Sequence, residues 1–425
     1  MAKVAVIGLG YVGITTLVGM NKLGHEVIGY DIDQSRTVSL SKNDPPIHEE
    51  GLELELHSLN REDKLVFTSQ LGELTKFKAD FFFVCVPTPQ SSHGAADLVF
   101  VLQVAKQLSS IAPDNSVVVL KSTVPVGSGV KVKQALARPD IQVVSNPEFL
   151  REGSALRDFM NPDLVVVGAD SKGAANRVLQ LYSNINSRKI STSVDSAQLI
   201  KYATNAYLAT RLSFVNNLAA LCEQTGANLD DVLKGLGSDS RIGSSFLNPG
   251  PGWGGSCFPK DTRALLAVAS EFGLEFPLID AALQSNTKTM DRVVEMIIGL
   301  AGGSLEGKVI GIWGLAFKAN TDDIRESPSM KITEALLASG AKVRGYDPVA
   351  VATAAQGFHQ ARTAEEAAKG ADVLVILTEW GEFAEIDPSV ISSLMVGSAV
   401  LDARRIVKNE LWKAEFDVFR TLGGE

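Results

Sequence analysis

Three side chains able to do chemistry crowd into one short stretch, "GPGWGGSCFPKD", residues 250–261. Cys257, Lys260 and Asp261 supply a thiol, an amine and a carboxylate within five residues, behind Gly250, Gly252, Gly254 and Gly255. A thiolate attacks electrophilic carbon, and adjoining polar groups stabilise charge and move protons as it does so. A cysteine can also be a small core hydrophobe. A core residue rarely follows Gly-Gly-Ser and precedes Lys-Asp, so the loop reads as covalent catalysis. A second polar pair, Lys201 and Asn205, lies four residues apart in "KYATNAYLATRLSF", hence on one face of a helix. Taken alone, that pair is more simply a solvated lysine and asparagine.

These groups need a scaffold, and the N-terminus supplies its first part. "KVAVIGLGYVG" is an apolar run followed by Gly8-x-Gly10-x-x-Gly13. The amphipathic "ITTLVGMNKLG" then ends at Gly24, and "EVIGYDID" begins a second strand that leads to Asp31. In this order of strand, turn, helix and strand, Gly8 permits the tight turn, Gly10 admits a pyrophosphate to the backbone, and Gly13 lets helix and strand pack closely. The helix N-terminus faces the phosphates. Asp31, eighteen residues past Gly13, can accept from a ribose diol and repels a 2′-phosphate, which favours NAD over NADP. Three further apolar runs, "ADFFFVCVPTP", "SVVVLKSTVPVG" and "IQVVSNPEFLREG", stop at proline or polar residues, where ligands bind in open α/β sheets. Thr123 follows the second run and is a candidate site residue. Cys85, inside the first, reads as packing.

Residues 195–225 show the 3.6-residue apolar period of one long helix, with Gly226 as its stop. Such a helix can bridge two domains or form a subunit interface. Cys222, near its end, reads as core. Beyond a "GGSLEG" linker, "GKVIGIWGLAFK", "KVRGYDP", "ADVLVILTEW" and "SAVLDARRI" read as strands, with a helix in "SMKITEALLASG" after the first. "GIWGLAFK" lacks the GxGxxG spacing, so this half is not expected to repeat the dinucleotide site. Lys318, Arg325 and Arg404 lie at or past its strand ends and are the cations open to an anionic ligand. The chain is therefore read as α/β, with two doubly wound parallel-sheet domains joined by a long central helix. The expected parts are residues 1–194, 195–300 and 301–425.

Composition sets the outer limits. A net charge of -9 argues against nucleic acid as a partner, because phosphate backbones select a basic surface. The cysteines are three, far apart and without metal-ligand spacing, so neither a disulfide framework nor a metal site is expected and a reducing cytoplasm is. No apolar run approaches the roughly 20 residues of a spanning helix, so no membrane is expected. The glycine-interrupted N-terminus does not read as a signal peptide.

The stretches "GLGYVG", "CVPTP", "STVPVG", "NPEFLREGSALRDF", "KYATNAYLATRLSF", "GPGWGGSCFPKDTRAL", "FKANTDDIRESPS", "YDP" and "TEW" occur in this order over nearly the whole chain. In them the chain resembles the nucleotide-sugar dehydrogenases of the UDP-glucose/GDP-mannose dehydrogenase family. The resemblance implies two Rossmann-like domains joined by the long helix, and a homodimer or higher homo-oligomer formed through the helical centre. It also implies oxidation of a sugar C6 alcohol to a carboxylate, with two hydrides passed to NAD. Carried over by position, Cys257 is the nucleophile, Lys201, Asn205 and Asp261 surround the reacting C6, and Thr123 and Glu148 handle the hydrolytic water. The NAD contacts become Gly8, Gly10, Tyr11, Val12, Gly13, Asp31, Arg36, Val86, Pro87, Thr88, Thr123, Glu152, Lys260 and Arg325. The nucleotide-sugar contacts become Glu148, Phe149, Leu150, Arg151, Glu152, Lys201 and Asn205, then Phe246, Leu247, Asn248, Pro249, Gly250 and Gly254, with Lys318 and Arg404. Arg241 corresponds to a residue that reaches the substrate of a neighbouring subunit. Trp253 stands where tyrosine or phenylalanine is usual, "HEEG" replaces a proline-containing version, and "QSSHGAADL" is atypical.

The implied chemistry explains the thiol. An aldehyde has no second hydride poised to leave; its thiohemiacetal does, and the resulting thioester is cleaved by water. Lys201 and Asn205 can stabilise the oxyanions, the first proton can go to Asp261, to Lys201 or to a bound water, and Glu148 can activate the hydrolytic water. "NPEFLREG" and "CFPKDT" look more like the UDP-glucose branch of the family, with TDP-glucose, GDP-mannose and UDP-N-acetylhexosamines as alternative substrates. Two rival classes are a two-electron hydroxyacid dehydrogenase, yielding one NADH per substrate, and a catalytically silent nucleotide-sugar-binding protein. Asp31 generates a first expectation: kcat/KM for NAD+ should exceed that for NADP+ by roughly tenfold or more, the effect of one lost charge-assisted hydrogen bond. Steady-state assays with both cofactors check it, and equal values would contradict it.

Overall fold

A computed structural model describes residues 1–62, 64–91, 94–353 and 356–424; Ser92 and His93 of the atypical "QSSHGAADL" lie outside them. The chain folds into two compact units. The first comprises Met1–Thr204 and Arg263–Leu274, the second Asn205–Thr262 and Glu275–Glu425.

The first unit is built on strands β1 (Lys3–Ile7), β2 (Glu26–Tyr30), β3 (Leu65–Thr68), β4 (Phe81–Val84), β5 (Val117–Leu120), β6 (Gln142–Ser145), β7 (Leu164–Gly168) and β8 (Arg188–Thr192). Their order is β3-β2-β1-β4-β5-β6-β7-β8. The first six are parallel in the doubly wound order, with helices on both faces. That explains why β4 and β5 are apolar throughout and β1 is apolar after Lys3: both faces are covered. One pair departs from the parallel expectation. β7 meets β6 antiparallel at Ser145 and Gly168, and β8 then runs parallel to β7. β8 reads "RKIST" and is largely exposed, so it lacks the apolar run by which a strand is recognised.

The glycine turn takes the expected shape. Gly8 has φ +88° and donates its N–H to the Tyr30 carbonyl at 2.8 Å. Helix Tyr11–Lys22 starts directly after Gly10 and ends before Gly24 at φ +88°. A Cβ on Gly13 would lie 1.8 Å from the Gly8 carbonyl oxygen, so this position closes the strand–helix packing. A Cβ on Gly10 would meet no atom within 4 Å. Cys85 lies one residue beyond β4, not inside it, and packs in the core beside this turn. Burial pushes its thiol up to about 12, which fits packing and not reactivity.

The second unit repeats the plan with β9 (Val309–Trp313), β10 (Lys342–Tyr346), β11 (Phe358–Gln360), β12 (Val373–Ile376), β13 (Ala399–Asp402) and β14 (Val418–Thr421), ordered β11-β10-β9-β12-β13-β14 and paired in parallel. Its first turn copies that of the other unit. Gly314 has φ +93° and donates to the Tyr346 carbonyl at 2.7 Å, as Gly8 does to Tyr30. Ala316 and Ala319 stand at the spacing of Gly10 and Gly13, and Ala316 is fully buried. The turn is kept, while a methyl group stands where a phosphate would approach the backbone.

The long helix runs unbroken over Val194–Thr225 and stops at Gly226, φ +73°. The unit boundary falls within it, between Thr204 and Asn205. Cys222 is buried with Ala219 and Leu229. The two glycines should separate by experiment. Gly13→Ala should lower stability by about 1–3 kcal/mol through overpacking. Gly10→Ala, at an ordinary φ of -75°, should melt within about 2 °C of the parent yet bind NAD roughly tenfold or more weakly. Thermal melts and NAD titration calorimetry read the two effects.

Candidate active site

In the first unit the carboxyl ends of β1, β2, β4, β5 and β6 carry the candidate cofactor groups. Asp31 is buried, and its Oδ2 accepts the Leu9 N–H at 2.7 Å and the Arg36 guanidinium at 3.0 Å. Asp31 thus braces the glycine turn from behind, and Arg36 is held beside it. Val86, Pro87, Thr88 and Thr123 sit on two tied loops: Ser122 Oγ donates to the Val86 carbonyl at 2.6 Å and Thr88 Oγ1 to the Thr123 carbonyl at 2.9 Å. Tyr11, in the glycine turn next to Val12, donates to Glu49 Oε2 at 2.5 Å, and its hydroxyl lies 2.9 Å from the Arg151 carbonyl. Buried Glu49 also accepts the N–H groups of Gly153 (2.8 Å) and Ala155 (2.5 Å). The sequence reading missed Glu49, although it lies in the unusual "HEEG". The open space above Gly10, the helix N-terminus and Asp31 fit a dinucleotide whose pyrophosphate lies on the turn.

"NPEFLREG" holds the most heavily buried charges. Lys201 Nζ pairs with Glu148 Oε1 at 3.0 Å, and both side chains are buried. Glu148 Oε2 accepts the Leu150 N–H at 2.6 Å, and the Lys201 ammonium lies 5.5 Å from the centre of the Phe149 ring. Burial pushes the Glu148 carboxyl up, but Lys201, the Leu150 N–H and the nearby Lys121 outweigh it and hold it below the usual glutamate value. Arg151 makes a two-pronged bond to Asp158, at 2.9 and 2.7 Å, and so shapes the loop around Glu152. Lys121 was also missed; its signal was a lysine closing the otherwise apolar "SVVVL".

In the second unit the thiol loop is pinned by side chains of two helices, Val194–Thr225 and Pro277–Leu300. Gly250 N–H donates to Asn216 Oδ1 at 2.9 Å. Trp253 exchanges two backbone bonds of 2.8 Å with the Asn286 amide, and its indole N–H donates to Ser213 at 2.9 Å. The bulkier ring at this position is therefore hydrogen-bonded and buried. Two of the loop glycines are required by packing. A Cβ on Gly254 would lie 2.1 Å from the Glu326 carbonyl, and one on Gly255 would strike the Phe317 ring at 2.9 Å. They let "FKANTDDIRESPS" pack against the loop.

Cys257 is half-buried and directly precedes helix Phe258–Glu271, at the positive end of its dipole. Asp261 lies one turn on and is fully buried, held by the Asn205 amide at 2.6 Å and Lys260 at 2.5 Å. Lys260 is thus tied to Asp261 here, and Asn205 is oriented by the same carboxylate. Lys201 and Asn205 lie one turn apart on the long helix. Arg404 reaches Gly250, where a Cβ would come within 2.8 Å of its guanidinium, and donates to the Leu377 and Phe317 carbonyls at 2.8 and 3.0 Å. The neighbouring Arg405 turns to Leu422 and Asp230 instead. Phe246 adopts φ +55° before buried Leu247, Pro249 and Gly250, while Asn248 is exposed. Lys318 lies 5.6 Å from the Phe317 ring centre. Arg241 and Arg325 are exposed and chelate Asp239 and Asp323 on their own loops.

A glycine turn fit for a dinucleotide and a second doubly wound sheet of the same plan are the architecture of a two-sheet dehydrogenase. Three family models match: the NAD binding domain of the UDP-glucose/GDP-mannose dehydrogenase family at residues 2–186, its central domain at 195–288 and its UDP binding domain at 311–409. The chain belongs to this family. It is 41% identical over 422 residues to the UDP-glucose 6-dehydrogenase of Rhizobium meliloti (strain 1021), covering 96% of each. It is 38% identical to UDP-glucose 6-dehydrogenase TuaD of Bacillus subtilis (strain 168), covering 100% of this chain and 93% of that one. A solved UDP-glucose dehydrogenase from Pyrobaculum islandicum superposes with a TM-score of 0.90 at 33% identity, covering 100% of this chain and 98% of that one. The chain is an NAD-dependent oxidoreductase.

The buried ion pair makes a stability prediction. Lys201→Ala leaves Glu148 buried without its direct partner and should lower the unfolding free energy at pH 7 by about 3 kcal/mol. Because the folded protein holds Glu148 below its ordinary value of 4.5, the pair stabilises fully above that pH and its contribution fades as pH falls through the folded value. Urea unfolding of both proteins between pH 7 and 3 should show the gap narrowing below about 4.5.

Proposed function

We propose that this protein oxidises the C6 alcohol of UDP-glucose to the carboxylate of UDP-glucuronate, using two NAD+ and a covalent adduct on Cys257. The observation that carries the reading is Cys257 at a helix start with the Asn205–Asp261–Lys260 cluster one turn behind it. Relatives bearing the name UDP-glucose 6-dehydrogenase, similar end to end, support the substrate. The division of labour follows the family: residues 1–194 hold NAD, 195–300 carry the thiol loop and 301–425 hold the nucleotide.

Bound NAD+ supplies the hydride acceptor. Asp261, fixed by Asn205 and Lys260, accepts the alcohol proton directly or through water in the first oxidation. The thiolate of Cys257 then adds to the aldehyde carbon, and the oxygen of the adduct takes a proton. Loss of the C–H hydride and the hydroxyl proton turns this thiohemiacetal into a thioester. Lys201 stabilises negative charge on the oxygen at each tetrahedral stage, a role worth roughly 3–4 kcal/mol for one preorganised donor. Glu148, with Thr123 as its partner, activates the water that adds to the thioester. The carboxylate leaves, and the thiol is regenerated. Arg404 and Lys318 offer charge to the diphosphate or sugar, and Phe246, Leu247, Asn248, Pro249, Gly250 and Gly254 offer backbone.

The long helix supports a homodimer. Tyr207, Phe214 and Leu221 repeat every seven residues and are each more than half exposed, an apolar stripe that a second copy would cover. Arg241 would then reach across. Three unlinked thiols suit a reducing cytoplasm, and among the described residues no helix is long and apolar enough to cross a membrane.

Replacement of the thiol tests the reading. Cys257→Ala should lose nearly all production of acid, by roughly 10³-fold or more if covalent catalysis carries the second oxidation, while binding UDP-glucose and NAD+ as before. Supplied with the 6-aldehyde, it should form acid just as poorly. Cys85→Ser and Cys222→Ser should keep turnover. If Cys257→Ala released two NADH per UDP-glucose at near the parent rate, the covalent route would be wrong.

A further inference from the structure

Lys121 directly follows β5, yet its side chain turns inward and is 5% exposed. Its ammonium donates to Asn146 Oδ1 at 3.2 Å and lies 5.9 and 5.8 Å from the ring centres of Phe159 and Tyr182. Asn146 cannot swivel. Its Oδ1 also accepts the Tyr182 hydroxyl at 2.6 Å, and its Nδ2 donates to the Val166 carbonyl at 2.8 Å. The amide oxygen therefore faces the lysine permanently. Among the described residues Lys121 makes no ion pair.

A cation this deep needs a reason to stay, because burial without a paired carboxylate is costly. The groups that face it come from four elements: the Cys85 thiol after β4, Glu148 on the loop after β6, Tyr182 beyond β7, and Lys201 on the long helix. Only Glu148 is an opposite charge. Lys201 takes that carboxylate by direct contact, and Lys121 acts on it through space. Burial pushes the Lys121 amine down to about 8, and the Glu148 charge opposes that fall.

We propose that Lys121 is a positioning residue for the oxidation: it fixes Asn146 from beneath the "NPEF" loop and, by sharing Glu148 with Lys201, keeps that carboxylate ionised and aimed at Lys201 and the Leu150 N–H. The proposal rests on the water-activating role read for Glu148, since a protonated Glu148 accepts no proton from water. Two buried lysines thus serve one carboxylate. Lys201 sets its direction, and Lys121 adds the second positive field that offsets burial.

Infrared titration of the ligand-free full-length protein reads Glu148 directly, through the protonated-carboxyl band that Glu148→Gln deletes. In Lys121→Met, which keeps the stem and removes the charge, this band should appear roughly 1 pH unit or more higher than in the parent. Lys121→Gln, which keeps a donor for Asn146, should show the same shift and serves if the methionine variant folds poorly. In turnover the acid limb of kcat should move up with the band, while KM for UDP-glucose and NAD+ changes less than about twofold, as expected for a residue that touches neither. A band that titrates at the parent pH in both variants overturns the proposal, as does a kcat lowered equally at every pH, which marks a packing role. A shifted band with an unmoved acid limb supports the coupling and removes Glu148 from the rate-limiting chemistry.

Discussion

A parallel sheet leaves backbone N–H groups at its carboxyl edge without ladder partners, and this is the edge on which ligands are bound. Buried carboxylates meet that demand throughout the protein. Asp31 takes the N–H groups of Leu9 and Asp33. Glu49 takes those of Gly153 and Ala155. Asp347 takes those of Leu315, Ala316, Val349 and Ala350. Asp402 takes those of Arg404, Arg405, Ile406 and Val407. Each bond is charge-assisted and holds a turn in one shape. The two sheets share this device at corresponding places: Asp31 and Asp347 both follow the tyrosine that ends the second strand of their sheet.

The same constraint explains how the charged groups are held. Asp402 is completely buried; burial pushes its carboxyl up and the four N–H groups pull against that. What they obtain is a tight turn that sends two adjacent arginines in different directions, Arg404 to Gly250 and Arg405 to Asp230. Arg405 accepts φ +58° to do so. Glu148 spends one oxygen on the Leu150 N–H and the other on Lys201, so its loop and its ion pair are set together. Asp261 spends both oxygens on Asn205 and Lys260. Glu148 and Asp261, the carboxylates proposed for chemistry, are thus also structural bonds, which limits their motion.

The glycines divide into kinds by what surrounds them. Gly8 and Gly314 are needed for a positive φ. Gly13 and Gly254 are needed because another backbone carbonyl occupies the place of a side chain. Gly10 alone of these faces open space, as a position reserved for a ligand should. In the loop that carries Cys257, Gly254 and Gly255 are thus required because a neighbouring loop packs into it.

Much was legible in the sequence where the signal is local. The βαβ turn, the 32-residue helix and the apolar strands follow from periodicity and turn chemistry within a few residues of each other. The thiol loop was legible because residue types there are chemically incongruous. Short or half-exposed strands such as β8 and β11 were not, since they lack an apolar run and depend on a neighbour to pair with. Residue identity determined which groups could act: a thiol, two lysines, an asparagine and two carboxylates. Tertiary structure alone decided which were paired. Lys121 and Lys201 are eighty residues apart in sequence, yet both act on Glu148. Glu49 reaches a loop more than a hundred residues away. Such long-range pairings have no sequence period, because burial and charge balance, which choose them, exist only once the chain has folded.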